Sequence, residues 1–133
     1  MNKQQTVSIQ QLHDSISEKI FQIDPLIRFV GVFSNNDFQY SYRKCITPYI
    51  DQEKTKKSLE QAVKRWEERE ELFSSEIGNP MYSLTMYETV KRIVMKLKDG
   101  SILLISTELE IDHERLLIKL MDYSDSLTNK LPS

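Results

Sequence analysis

The longest predicted element is a helix from Asp51 to about Ile77, and it limits the folds open to this chain. Its apolar residues form one narrow stripe, while Lys, Glu, Arg and Gln fill most other positions. The stripe comprises Leu59, Ala62, Val63, Trp66, Phe73 and Ile77. A helix of that length extends roughly 40 Å at about 1.5 Å per residue, about the width of a domain of 133 residues. Gly78 and Pro80 then end it. One helix must therefore cross the whole domain.

Two segments before this helix predict a pair of strands. Leu26 to Phe33 is nearly all apolar, which is typical of a central strand covered on both faces. Phe38 to Ile46 alternates between apolar and polar residues and predicts a half-exposed partner strand. The turn between them is the segment 34–37, because Asn and Asp tolerate left-handed backbone.

Three strands are predicted after the helix. Met81 to Glu88 alternates, and "VKRIVMKLKDGSILLIST", Val90 to Thr107, folds back on itself through Asp99-Gly100. In that hairpin one set of side chains is predicted to face inward and another to face water. The inward set is Ile93, Met95, Leu97, Leu103 and Ile105; the outward set is Arg92, Lys96 and Lys98.

A helix is predicted at each end of the chain. Ile9, Leu12, Ile16, Ile20 and Ile23 recur at helical spacing after a Ser8–Gln11 capping box. Asp112 is the predicted N-cap of the last helix, whose buried face is Leu116, Leu117, Leu120, Met121 and Leu127. The order α-β-β-α-β-β-β-α predicts an α+β fold with a five-stranded antiparallel sheet and helices packed on it. We expect one domain over residues 8–127 and a flexible tail over 128–133.

Composition excludes several classes of function. The net charge of −2 gives no basic footprint for nucleic acid, so we expect the aromatic face of Phe38, Tyr40 and Tyr42 to pack under a helix. No apolar run approaches the roughly 18 residues of a membrane span, and the N-terminus lacks the apolar segment of a secretory signal. With a single cysteine, these features favour a cytoplasmic protein that binds neither nucleic acid nor membrane.

No motif predicts catalysis. Cys45 follows Arg43 and Lys44, which would favour a thiolate, but a catalytic pair also needs His13 or His113 beside it. We expect Cys45 to be a small packing residue at the end of a strand. The acidic residues and histidines lack metal-ligand spacing, and no glycine-rich loop for nucleotides is present. We therefore expect no catalytic residue, no metal and no cofactor.

The order of elements resembles that of the Roadblock/LC7 domain, a relative of the longin and profilin-like folds. The matching pieces are "RFVGVFSNNDFQYSYR" as the first hairpin, the long helix Asp51–Ile77, and "VKRIVMKLKDGSILLIST" as the later hairpin. The resemblance spans about Ser8 to Leu127. It implies a non-enzymatic scaffold or regulatory module that forms homodimers through the long helix and the third strand, and that docks small GTPases.

Carried over by position, this resemblance implies a dimer surface on the helix and the neighbouring strand. Its residues would be Lys64, Arg65, Trp66, Arg69, Phe73, Tyr82, Leu84 and Met86. Trp and Arg are also the residue types that dominate interface hot spots.

Two other functions stay open from the sequence. A PAS-like or profilin-like sensor of small molecules would use a cup in the sheet, lined by Phe29, Phe33, Tyr40, Tyr42, Met95 and Leu104. It requires a pocket of about 300 Å³ or more. An enzyme that depends on Cys45 would require a thiol pKa well below the ordinary value.

Overall fold

The computed structural model describes the backbone of residues 9–129 and the side chains of residues 14–127. The elements are α1 (Ile9–Ile23), β1 (Ile27–Ser34), β2 (Asp37–Tyr42), α2 (Gln52–Ile77), β3 (Ser83–Met86), β4 (Lys91–Lys96), β5 (Ile102–Thr107) and α3 (His113–Asn129). The predicted order and the α+β class are confirmed. Ser8 of the predicted capping box and residues 130–133 of the predicted tail lie outside the described residues.

The five strands form one antiparallel sheet in the order β2-β1-β5-β4-β3. β1 and β5 are therefore central, as their apolar sequences predicted, and β2 and β3 are the edges. Both edge strands are shorter than predicted. β2 ends at Tyr42, and Cys45 follows in a turn with a left-handed backbone (φ 66°).

The sheet is covered on both faces. Helices α1 and α3 pack on one face, where Ile20 and Leu120 meet the side chains of β1, β4 and β5. Helix α2 crosses the other face, where Leu59 packs with Phe29 and Leu104. The five side chains predicted to face inward in the β4–β5 hairpin are all buried.

Of the three side chains predicted to face water in that hairpin, Lys96 and Lys98 are exposed and Arg92 is not. Arg92 is half-buried, and its Nη2 donates a hydrogen bond to Ser58 Oγ on α2. The prediction for Arg92 is wrong because strand alternation tells which face of the sheet a side chain is on, but not whether a helix covers that face.

Polar residues form the first hairpin turn and cap the N-termini of α2 and α3. Asn35 and Asn36 both take positive φ, as a two-residue hairpin turn requires. Asp51 caps α2 by accepting a hydrogen bond from Lys54 N at 2.8 Å, and Asp112 caps α3 by accepting one from Arg115 N at 3.2 Å. The turn and the Asp112 cap agree with the predictions, whereas the sequence analysis predicted no cap for α2.

Candidate functional site

The apolar stripe of α2 is covered along only part of its length. Leu59, Val63 and Trp66 are buried beneath the helix. Phe73 and Ile77 follow Trp66 by seven and eleven residues, about two and three helical turns, so they continue the same stripe. Yet Phe73 is 49% exposed and Ile77 is 80% exposed. The last turns of α2 therefore present apolar side chains that the rest of the chain does not cover.

The edge strand β3 begins six residues after the end of α2. Its outer side forms no hydrogen bonds with another strand of the sheet. It pairs with β4 from Ser83↔Val94 to Met86↔Lys91. Tyr87 N donates to Val90 O at 2.8 Å, and because antiparallel residues alternate, the N–H groups of Leu84 and Met86 point away from β4. β3 contains no charged residue and no proline, the features that usually block pairing at a sheet edge.

Exposed apolar side chains are concentrated in the stretch of sequence from the end of α2 to the end of β3. Of the eleven large hydrophobic residues exposed in the described part of the chain, seven lie within residues 72–87. We call these seven the overhang patch: Leu72, Phe73, Ile77, Met81, Tyr82, Met86 and Tyr87. The uncovered end of the helix and the edge strand thus each present apolar side chains that a partner could cover.

The residues implied by the family resemblance are placed as follows. Lys64, Arg65 and Arg69 are exposed on α2. Phe73, Tyr82 and Met86 belong to the overhang patch, and Leu84 is half-buried against the core. Trp66 is 0% exposed, so its ring has no surface to offer a second molecule, and we leave it out of the proposed contact surface.

A second feature is a cavity of about 510 Å³ between the first half of α2 and the sheet. We call it the helix–sheet cavity. Its outer walls come from the β2–α2 loop, with Tyr49 and Ile50, and from the β3–β4 connection, with Tyr87, Thr89 and Val90. Its volume exceeds the roughly 300 Å³ needed to hold a small molecule.

The cavity floor is one row of the sheet. Strand register aligns Tyr42 with Phe29, Phe29 with Ser106, and Ser106 with Arg92, and all four residues line the cavity. Leu104 lies in the next row. Of the predicted cup, Phe29, Tyr42 and Leu104 thus line the cavity, whereas Phe33, Tyr40 and Met95 do not. The sequence analysis did not predict that Arg92 and Ser106 line the cavity, because the residues beside them in the sheet come from other strands.

Aromatic and polar contacts hold the inner end of the cavity. The Phe29 and Tyr42 ring centroids are 4.9 Å apart, and Tyr42 Oη lies 3.0 Å from Thr55 Oγ1 on α2. Gly31 allows α2 to approach closely, since a Cβ there would lie 2.6 Å from Leu59 Cδ2. Tyr42 therefore packs under a helix, as predicted for the aromatic face of β2.

The other residues considered for catalysis or metal binding do not form a common site in the described structure. Cys45 is exposed, and the prediction that it packs is wrong because β2 ends before it. His113 Nδ1 lies 3.0 Å from Lys91 Nζ, and the side chain of His13 is outside the described set. Burial raises the pKa of Tyr123, and the negative charge of Asp99 adds to the effect. Within the described residues, no cluster of His, Cys, Asp and Glu could hold a metal ion.

Comparison with known proteins identifies the fold. Neither protein-family profiles nor curated protein sequences give a match. Among solved structures, a Roadblock/LC7 domain from Streptomyces avermitilis superposes with a TM-score of 0.62 at 12% identity, over 84% of this chain and 91% of that one. MglC from Myxococcus xanthus gives a TM-score of 0.52 at 9% identity, over 86% and 94%. This chain therefore has a Roadblock/LC7-like fold, as the order of elements predicted.

The structure also bears on membrane insertion. Across residues 9–129, no helix combines the length and the apolar character needed to cross a bilayer.

Proposed function

We propose that this protein is a non-catalytic scaffold or regulatory module of Roadblock/LC7 type that works as a homodimer. The observation that carries the proposal is the overhang patch beside an unblocked edge strand. A second copy would place its β3 against the first β3 and its α2 against the uncovered end of the first α2. The exposed Lys64, Arg65 and Arg69 would then border the contact on the helix side.

The physical chemistry favours a self-complementary contact. The outward N–H and C=O groups of Leu84 and Met86 need partners once water is excluded, and a second β3 supplies the same groups in antiparallel orientation. Phe73 and Ile77 gain burial against the partner's apolar residues, and the two-fold axis makes each such contact occur twice. The absence of charge on β3 leaves nothing to oppose pairing.

The double variant Phe73→Glu/Ile77→Glu tests the dimer. We expect sedimentation to give twice the 15.7 kDa chain mass for wild type at micromolar concentration. The double variant should sediment at the single-chain mass, with a dimer Kd raised at least about 100-fold, because charges buried without partners cost several kcal/mol. Met86→Lys should act in the same direction through the strand edge.

The matched control is Ile118→Glu, which places a charge at another exposed apolar residue (63% exposed) on α3. It should leave the dimer intact and all variants should keep the far-UV circular dichroism of wild type. A wild-type protein that stays at single-chain mass at 500 μM, about the upper range for weak contacts, contradicts the homodimer.

The partner class implied by the family resemblance is a small GTPase. The test is a titration of the protein against small GTPases of the same organism, each loaded with GDP or with a non-hydrolysable GTP analogue. We expect one of them to bind with a preference for one nucleotide state. Equal, weak binding in both states would contradict a regulatory role toward GTPases and leave the dimer proposal standing.

A further inference from the structure

We propose that the helix–sheet cavity is a binding site for a small organic anion, with a carboxylate or a similar acidic group attached to a flat apolar body. The site is separate from the overhang patch except for Tyr87, which borders both. The inference goes beyond the scaffold function and does not depend on dimerisation.

Charge selects the sign of the ligand. Among the described residues, four cationic side chains line the cavity and no acidic one does: Arg28, Lys54, Lys57 and Arg92. The whole chain, by contrast, carries a net charge of −2. A cleft lined by one sign of charge raises the local concentration of ions of the opposite sign.

Two of these four cations are already neutralised. Arg28 forms an ion pair with Glu108 at 2.9 Å and stacks on Tyr49, and Lys57 lies 3.6 Å from Glu53. Lys54 and Arg92 have no carboxylate within ion-pair distance in the described structure. They are the two charges left for a ligand.

The backbone brings these two charges to one place. Lys54 and Ser58 are four residues apart on α2 and so lie on the same side of the helix. Arg92 reaches Ser58 from β4 through its hydrogen bond to Oγ. An anion beside Ser58 would therefore meet the Lys54 ammonium, the Ser58 hydroxyl and the Arg92 guanidinium, whose planar fork suits a carboxylate.

The apolar part of the cavity selects the body of the ligand. Phe29, Tyr42, Leu59 and Leu104 provide its inner surface, and aromatic rings favour flat partners that stack or meet them edge to face. A volume of about 510 Å³ lies within the range of sites for small molecules, which combine an apolar lining with a few placed polar groups. A polar metabolite without an apolar body would not displace water from this apolar lining.

The probe for this test is 8-anilinonaphthalene-1-sulfonate, a flat anion whose fluorescence rises in apolar sites. Its neutral counterpart N-phenyl-1-naphthylamine has the same body without the acidic group. We expect the anion to bind at least about tenfold more tightly than the neutral probe, since a hydrogen bond to a charged group contributes more than 1.4 kcal/mol. Naphthalene-1-acetate should displace the anion, whereas 2-(1-naphthyl)ethanol should not.

Arg92→Gln removes the charge at the centre of the proposed anion position. The Kd of the anionic probe should rise about tenfold, while that of the neutral probe stays within about twofold. Lys119→Gln is the control, because it removes one positive charge from an exposed position on α3 and should change neither. Ser106→Phe fills the floor and should abolish binding of both probes, and Arg92→Gln keeps the test decisive if Ser106→Phe does not fold.

The overhang patch could also bind an apolar dye, so the monomeric double variant Phe73→Glu/Ile77→Glu is measured in parallel. It should bind the anionic probe as wild type does, which separates this proposal from the dimer. The proposal is overturned if Arg92→Gln and Lys119→Gln give the same Kd, or if only the double variant loses the probe. Equal affinity of wild type for the two probes would overturn it as well.

Discussion

Replacement of Trp66 by alanine is expected to lower the free energy of unfolding by about 3–5 kcal/mol. Trp66 is fully buried in the main core, so truncation removes a large apolar surface and leaves a cavity under α2. Since domains of this size are stable by only about 5–15 kcal/mol, the variant should be close to unfolding. Urea titrations followed by far-UV circular dichroism measure the loss. Tryptophan fluorescence cannot be used, because Trp66 is the only tryptophan and the variant lacks it.

Trp66→Phe separates packing from hydrogen bonding at the same position. The indole Nε1 is buried without a hydrogen-bond partner in the described structure, and an unsatisfied buried donor costs about 1–3 kcal/mol. Phenylalanine removes that donor while keeping a ring, so we expect a loss of only about 1 kcal/mol. Ile118→Ala, at an exposed position on α3, should change stability by less than about 0.5 kcal/mol. Equal losses for Trp66→Phe and Trp66→Ala would contradict this account.

Trp66 also shows where sequence analysis reaches its limit. The spacing of Leu59, Trp66 and Phe73 gives one helical stripe, and nothing in that spacing tells which end the sheet covers. Coverage depends on where the strands end beneath a helix of 26 residues. Trp66 therefore belongs to the core and Phe73 to the surface, although both obey the same periodicity.

The elements themselves were predictable because their signals are local. The Asn35-Asn36 turn, the Asp112 cap and the Gly78 stop each act within a few residues, and strand alternation acts within one strand. The strand order β2-β1-β5-β4-β3 also depends on the pairing of β1 with β5, which are distant in the chain. The cavity depends on that order, since Arg92 meets Ser58 across 34 positions in the chain. The proposed preference of the cavity for an anion could therefore not be inferred without the strand order.

Arg43 is a further residue whose role the sequence did not reveal. Its position before Cys45 suggested an effect on the thiol, yet its guanidinium contacts the backbone of α1, of Asp24 and of β1. Its Nη2 donates to Phe21 O and Asp24 O, both at 2.8 Å, and its Nε donates to Ile27 O at 2.6 Å. It also lies over the Phe21 ring, 4.9 Å from the centroid. One side chain thus joins the end of α1 to the sheet.

Replacement of Arg43 by methionine is therefore expected to lower the free energy of unfolding by about 3 kcal/mol. Hydrogen bonds from a charged donor contribute about 1.5–3 kcal/mol each but do not add fully within one network. Arg43→Lys should recover less than half of the loss, because one ammonium cannot reproduce the fork that reaches three carbonyls. Urea unfolding measures both variants, and Lys44→Met, at the exposed neighbouring position, is the control.

A local measurement shows whether the loss arises at α1. The carbonyls of Phe21 and Asp24 lie at the C-terminal end of that helix, where carbonyls lack intrahelical partners and a cation is favourable. Arg43→Met should therefore accelerate amide hydrogen exchange in residues 14–23 more than in α3, since α1 loses a contact with the sheet while the α3 caps are unchanged. If exchange rises equally in both helices, or if Lys44→Met destabilises as much as Arg43→Met, then Arg43 does not anchor α1.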